Sequence, residues 1–208
     1  MKSCQSGRSM IEMLGVLAIV GVLSVGGISG YSKAMKKIKS EKVTSQLNEV
    51  IMTIRNLFIN QGNYKNISAQ MLINTNLIPK DMFTEGVHNS TLKNAFGGEI
   101  YIYLSKDIAG SPRAFEIYAT GLDQDTCIMM STLDWGSDPS TGFEALYVGV
   151  EVPETPILED INLPTDSIPE NGIFTPGMHN YAIPLTVPTA MSACACSRYE
   201  CVIGLKYT

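Results

Sequence analysis

Glu12 stands at the entrance to an apolar run, Met13 to Ser32, that carries no formal charge. If that run enters a bilayer, the carboxylate faces hydrocarbon, at a cost on the order of 2 kcal/mol or more unless a cation meets it. The neighbouring residues suggest which cation. Were the chain cut after Gly7, Arg8 would become its first residue, Glu12 its fifth, and a new α-amino group would stand on the cytoplasmic side. Opposite charges brought together in low dielectric compensate one another, whereas either alone in lipid is penalised. The chemistry expected here is a proteolytic cut and a charge pair.

The cysteines form the second reactive set. Of five, Cys4 lies in the segment that such a cut would discard, leaving Cys127, Cys194, Cys196 and Cys201. An even count in an exported domain suggests disulfides, because oxidising compartments form and keep them. Four cysteines allow three connectivities, and a direct bond from Cys194 to Cys196 would be strained. Cys127 is therefore expected to reach the C-terminal cluster, with its partner there left open. A closed loop of about 75 residues contributes roughly 4 kcal/mol on the chain-entropy account. Zinc is the rival reading of C-x-C-x4-C, but nothing near Cys127 supplies the paired spacing of a structural site.

Catalysis finds little support. His88 and His179 are the only histidines, neither sits in a metal-ligand spacing, and no nucleophile elbow, phosphate loop or dinucleotide fingerprint occurs. Asp123, Asp125, Asp134, Asp138 and Glu144 could offer oxygen ligands to calcium, although loop carboxylates more often cap helices and turns. No catalytic residue, metal or cofactor is expected.

An uncharged helix of about 20 residues rises roughly 30 Å, the depth of a bilayer core. No A-x-A-like site follows the run, which argues against removal behind it. The whole chain has 208 residues, 17% charged, with a formal charge of −5. What remains beyond the span suffices for one domain, and a domain of about 150 residues buries roughly two thirds of its unfolded surface. The mild acidity leaves no basic stripe for nucleic acid.

Gly7, the hydroxyl residue Ser9, Glu12 and the long apolar run together resemble the cleavage and methylation signature of type IV prepilins, shared with the pseudopilins of type II secretion. The resemblance implies that a membrane prepilin peptidase cuts after Gly7 and N-methylates Arg8, and that Glu12 meets the terminal amine of a neighbouring subunit during assembly. It implies further partners: the chain itself as a helical homopolymer, an inner-membrane assembly platform, and the membrane before assembly. The family more often has phenylalanine or methionine where Arg8 stands. Lys33, Lys36, Lys37, Lys39 and Lys42 follow the span while Lys2 and Arg8 precede it. The positive-inside rule alone would put the C-terminal side in the cytoplasm; the prepilin motif requires the leader inside, and the lysines are read as a helix surface.

The elements that position these residues follow from periodicity. Tyr31, Met35, Ile38, Leu47, Val50, Ile51, Ile54, Leu57 and Phe58 recur mostly at three- and four-residue intervals, so the helix continues past the membrane and stops near "NQGN", Asn60 to Asn63. The organisation expected is a leader over 1–7, a long helix over 8–60 (span 8–32, amphipathic part 33–60) and a head over 61–208. In the head, "SAQMLINTNLIPKDMF" predicts a short helix ending before Pro79, and "TEGVHNSTLKNAFGG" an irregular loop. Glu99 to Leu104 and Ala114 to Thr120 predict a hairpin, with a cysteine helix capped by Asp123 or Asp125 and a strand over Phe143 to Val152. Prolines from Pro153 to Pro188 predict an extended excursion without regular structure. "CVIGLKY" predicts a final strand pinned by Cys201.

This order resembles type IVb pilins: an α+β fold in which a long N-terminal helix packs on an antiparallel sheet. The function it implies is a structural subunit of a type IV pilus, displayed outside the cell for adhesion, motility, aggregation or DNA transfer, with its surface or cell receptor unassigned. A type II secretion pseudopilin or a minor tip pilin is the alternative. A membrane-anchored binding module that never polymerises would share the span without needing Glu12 or a glycine at the cut. Gly21, Gly26, Gly27 and Gly30, with Gly15, interrupt the helix at roughly 1 kcal/mol each relative to alanine. The stretch from Gly21 to Gly30 is where the helix is expected to extend or melt in a filament, as family filaments do; close helix packing is the competing use of the same small residues.

Overall fold

The computed structural model describes residues 10–83, 91–107, 109–136, 138–153, 172–176, 183–197 and 200–208. Helix α1, Met10–Phe58, is continuous through every glycine of the apolar run. The chain divides into two units, Met1–Lys39 and Ser40–Thr208. The first holds the apolar part of α1, and the second holds the rest of that helix with the head.

Within the second unit, Val43, Leu47, Val50, Ile51, Ile54 and Phe58 are buried at the helical spacing read from the sequence. The helix ends at Phe58, two residues before the expected stop, in a turn where Gly62 adopts φ +65°. A left-handed backbone there suits a residue without Cβ. Helix α2, Ala69–Asn74, begins where the Ser68 side chain accepts a hydrogen bond from the Met71 N–H, a cap that contributes about 1 kcal/mol. A short 3-10 turn, Lys80–Met82, follows Pro79.

The sheet contains strands β1 (Leu92–Lys93), β2 (Glu99–Ser105), β3 (Ala114–Leu122), β4 (Phe143–Gly149), β5 (Ile173–Phe174) and β6 (Cys201–Tyr207). Its order is β1-β2-β3-β6-β4-β5, and each pairing is antiparallel. The last strand lies in the middle: Ile117 pairs with Leu205 on one side, and Leu146 with Leu205 on the other. Every residue of β6 is buried. Phe115, Ile117, Ile203 and Leu205 share the core with Leu47, Val50 and Ile54 of α1. Gly204 in β6 is required by close approach, because a Cβ there would collide with the Tyr118 ring and press on Tyr147.

Helices α3 (Gln124–Ser131) and α4 (Val187–Ala193) complete the head. The Asp123 carboxylate, rather than that of Asp125, caps α3 by accepting the Thr126 N–H at 3.0 Å. Three features depart from the sequence reading. The strand begun at Phe143 stops at Gly149 instead of Val152. Ile173–Phe174, inside the proline-rich excursion, forms β5 by pairing with Leu146 and Tyr147. Leu92–Lys93 likewise forms β1 within the expected loop. Two-residue strands lack a pattern of their own and exist only because a longer neighbour supplies the hydrogen bonds. The remainder of the excursion, 154–171 and 177–182, lies outside the described residues.

Candidate functional site

The apolar part of α1 is uncovered. Ile11 is 80% and Leu23 68% exposed, and none of the 18-residue apolar window is buried by the chain itself. The helix is long and apolar enough to cross a membrane. Such a surface needs either lipid or the helices of other chains around it. Cβ atoms added at Gly15, Gly21, Gly26, Gly27 and Gly30 would meet nothing within 4 Å. Among the described residues, no contact therefore calls for glycine at those positions.

Glu12 lies in the first turn of α1 and is exposed. A carboxylate interacts favourably with the positive end of the helix dipole. Among the described residues it has no ion-pair partner within the chain. Gly7 and Arg8, the expected cleavage and methylation positions, lie outside the described residues.

The cysteine region is resolved into two bonds. Cys127 of α3 joins Cys194 at the end of α4, with Cα atoms 5.9 Å apart, and Cys196 joins Cys201 at the start of β6, with Cα atoms 5.4 Å apart. Both spacings lie within the normal disulfide range. Cys127, Cys194 and Cys201 are fully buried. The first bond closes a loop of 67 residues and ties the two helices beside the sheet, while the second fixes the approach to the central strand. The sulfurs of Cys127, Cys196 and Cys201 lie within 4.8 Å of one another. All three belong to disulfides, so none is a thiolate for zinc.

Four of the five acidic residues considered for calcium are separately employed. Asp123 caps α3, the Asp134 carboxylate accepts the Gly136 N–H, and that of Asp138 accepts the Ser140 N–H. Glu144 pairs with Lys206 at 3.0 Å. Backbone donation from Ser140 holds the Asp138 carboxyl below its ordinary range. Among the described residues no three carboxylates converge. His88 and His179 lie outside the described residues.

A groove of about 750 Å³ runs between the end of α1, the turn after it and the loop joining β2 to β3. Its cations are engaged. Arg55 donates to the carbonyls of Thr141 and Thr208 and lies 5.5 Å from the Tyr207 ring centre, and Arg113 pairs with Asp107. Burial raises the Tyr207 phenol well above its usual range.

Two polar features were missed in the sequence. Lys206 is 1% exposed, opposite Glu116 of β3, whose carboxylate accepts hydrogen bonds from Ser105 and Tyr118. The signal was a lysine inside "CVIGLKY". Tyr101, Tyr103, Tyr118 and Tyr147 form a row with successive ring centres 6.4, 5.8 and 5.6 Å apart. Its cue, tyrosines recurring at two-residue spacing, was read only as strand propensity.

A long helix with a bare apolar start, an antiparallel sheet with the C-terminal strand at its centre, and disulfides around that strand define the architecture of a pilin subunit. The profile of the bundlin family matches residues 32–200, and the chain belongs to this family of type IV pilins. Among solved structures it is similar to TcpA, a type IV pilin from Vibrio cholerae El Tor biotype, at 17% identity and a TM-score of 0.55, covering 82% of this chain and 99% of that one. It is also similar to the type IVb pilin from Salmonella typhi, at 18% identity and a TM-score of 0.52, covering 81% of this chain and 98% of that one. These likenesses carry the fold. No curated protein matches the chain by sequence. The family is structural rather than enzymatic, and its members assemble with copies of themselves into filaments.

Proposed function

We propose that this chain is the structural subunit of a type IV pilus, made as an inner-membrane precursor and polymerised through the first half of α1 into an extracellular filament. The observation that carries this reading is the uncovered apolar helix with a carboxylate in its first turn that has no ion-pair partner among the described residues. Lipid satisfies the apolar side chains of a single subunit but leaves the Glu12 charge in a poor environment; a bundle of such helices satisfies both. A prepilin peptidase cuts after Gly7 and methylates Arg8, the new amine of one subunit meets Glu12 of another, and an inner-membrane platform feeds subunits into the fibre. The head, stapled by its disulfides, is displayed on the outside and performs no catalysis.

The test is electron microscopy of purified surface filaments with mass spectrometry of their subunit. The expected subunit begins at N-methylated Arg8 and lacks Cys4. An intact Met1 terminus in assembled filaments would contradict the processing step, and filaments lacking this chain would contradict the structural role. Gly7→Ala should slow cleavage less than a bulky residue at the same position.

A further inference from the structure

The two disulfides of the head are neighbours. Cys127 of α3 is bonded to Cys194 and Cys196 to Cys201, yet the sulfurs of Cys127, Cys196 and Cys201 all lie within 4.8 Å of one another. A thiolate released from the second bond therefore has Cys127 in reach after a small side-chain movement. Access to the cluster is unequal. Cys127, Cys194 and Cys201 are fully buried, whereas Cys196 is partly exposed and stands between exposed Ala195 and Ser197. A thiol arriving from solvent meets Cys196 first.

We propose that Cys196–Cys201 is a redox-responsive exchange site, through which a dithiol moves the bond of Cys127 from Cys194 to Cys201. Disulfides exchange when a thiolate attacks one sulfur and expels the other, so access and proximity decide which bond breaks. In the first step a thiolate of the dithiol attacks the Cys196 Sγ, and the Cys196–Cys201 bond breaks with its electron pair on the Cys201 Sγ. That thiolate attacks the Cys127 Sγ. A Cys127–Cys201 bond forms, and Cys194 leaves with the electron pair and takes a proton. The second thiol of the dithiol then attacks the mixed disulfide, releasing Cys196 as a thiol and closing the dithiol into its own disulfide. Two electrons and two protons pass to the chain, and one of its two disulfides remains.

Both groups set free have polar neighbours already in place. The Cys194 Sγ lies 3.6 Å from the Ser131 Oγ, and the Cys196 Sγ lies 3.4 Å from the Cys194 carbonyl oxygen, an acceptor for its S–H. In the exchanged state β6 is fastened directly to α3, while α4, which ends at Cys194, loses its covalent tie. The redox state of the surroundings thus selects which element is bonded to α3. The exchange belongs to the head and does not depend on the pilus reading.

The experiment uses the full chain in detergent, oxidised and carrying Cys4→Ser so that no fifth thiol intervenes. Dithiothreitol is added in limiting amount, free thiols are trapped at intervals with N-ethylmaleimide, and labels and surviving bonds are mapped by mass spectrometry. A species with Cys127 bonded to Cys201 and labels on Cys194 and Cys196 should accumulate before full reduction. Labels confined to Cys196 and Cys201 until the head unfolds overturn the proposal, as does direct loss of Cys127–Cys194 with labels on those two residues. A second measurement needs no reductant. Cys194→Ala leaves Cys127 as the odd thiol, in a fully buried position. Exchange should pass that thiol to Cys196, so a polar maleimide under native conditions should label Cys196 about tenfold more than Cys127. Label on Cys127, or none until denaturant is added, overturns the exchange.

Discussion

At the scale of single residues, Glu12 carries the sharpest expectation. Replacing it with valine removes a charge that burdens the helix in lipid, so membrane insertion of Glu12→Val should be unchanged or improved. Filament yield should fall severely, because the subunit loses its only acid in the apolar segment. Glu12→Gln should restore assembly in part, since it keeps hydrogen bonding without charge. Shearing and quantifying surface filaments from the two strains reads this directly, and normal piliation by Glu12→Val would sink the role.

The head carboxylates set a pH dependence whose sign follows from their partners. The Lys42 ammonium holds Asp81 below its ordinary value, the Tyr101 hydroxyl, followed by that of Thr91, does so for Glu99, and the Ser111 N–H for Asp107. Glu99 in turn pushes the Tyr101 phenol up to about 12. Each acid is depressed in the folded state, so its contribution is present above the unfolded carboxylate range, near pH 4, and is lost as pH falls through the lower folded value. Thermal unfolding of the head should therefore be nearly flat from about pH 6 to 8 and fall below about pH 4. A melting temperature that rose on acidification would contradict these assignments.

At the scale of elements, the two disulfides should differ in weight. Removing Cys127–Cys194, which closes 67 residues, should cost about 4 kcal/mol, whereas removing Cys196–Cys201, five residues apart, should cost about 2 kcal/mol. Urea unfolding of the two double-alanine variants gives the comparison, and an equal or inverted order would show that native-state packing, rather than loop closure, sets the values.

Helix α1 makes a second prediction at this scale. It is unbroken from Met10 to Phe58 in the single chain, and backbone groups in lipid have no water to turn to. We propose that the stretch from Gly21 to Gly30 extends only once the subunit has left lipid, giving the fibre compliance. Gly26→Ala with Gly27→Ala should strengthen the helix by about 1 kcal/mol per site and reduce fibre extension under force. Unaltered extension, or continuous helical density through this region in a filament map, would assign these glycines to close helix packing.

At the scale of the whole molecule, the division at Lys39 and Ser40 separates an apolar segment without a core from a unit that holds the core. The chain shortened to 40–208 should fold as a soluble monomer, with both disulfides formed and a melting temperature close to that of the full chain in detergent. It should not polymerise. Aggregation of this piece with loss of cooperative melting would mean that the first unit contributes to the stability of the head.

Much of this organisation was legible because it is local. Composition alone marks Met13 to Ser32 as a span, since a bilayer reads hydropathy and length. The stripe from Leu47 to Phe58, the hairpin of β2 and β3 and the Asp123 cap each arise within about two dozen residues or fewer, where side-chain period and capping chemistry decide the conformation. What only the tertiary structure decided is long-range. The insertion of β6 between β3 and β4, the choice of Cys194 over Cys196 as partner of Cys127, the recruitment of Ile173–Phe174 as β5 and the burial of Lys206 all join residues far apart in the chain. Strand pairing and disulfide geometry depend on which backbones approach in space. No pattern within a segment records that approach, so the sequence by itself determined the parts and the cysteine set, and packing determined how they are joined.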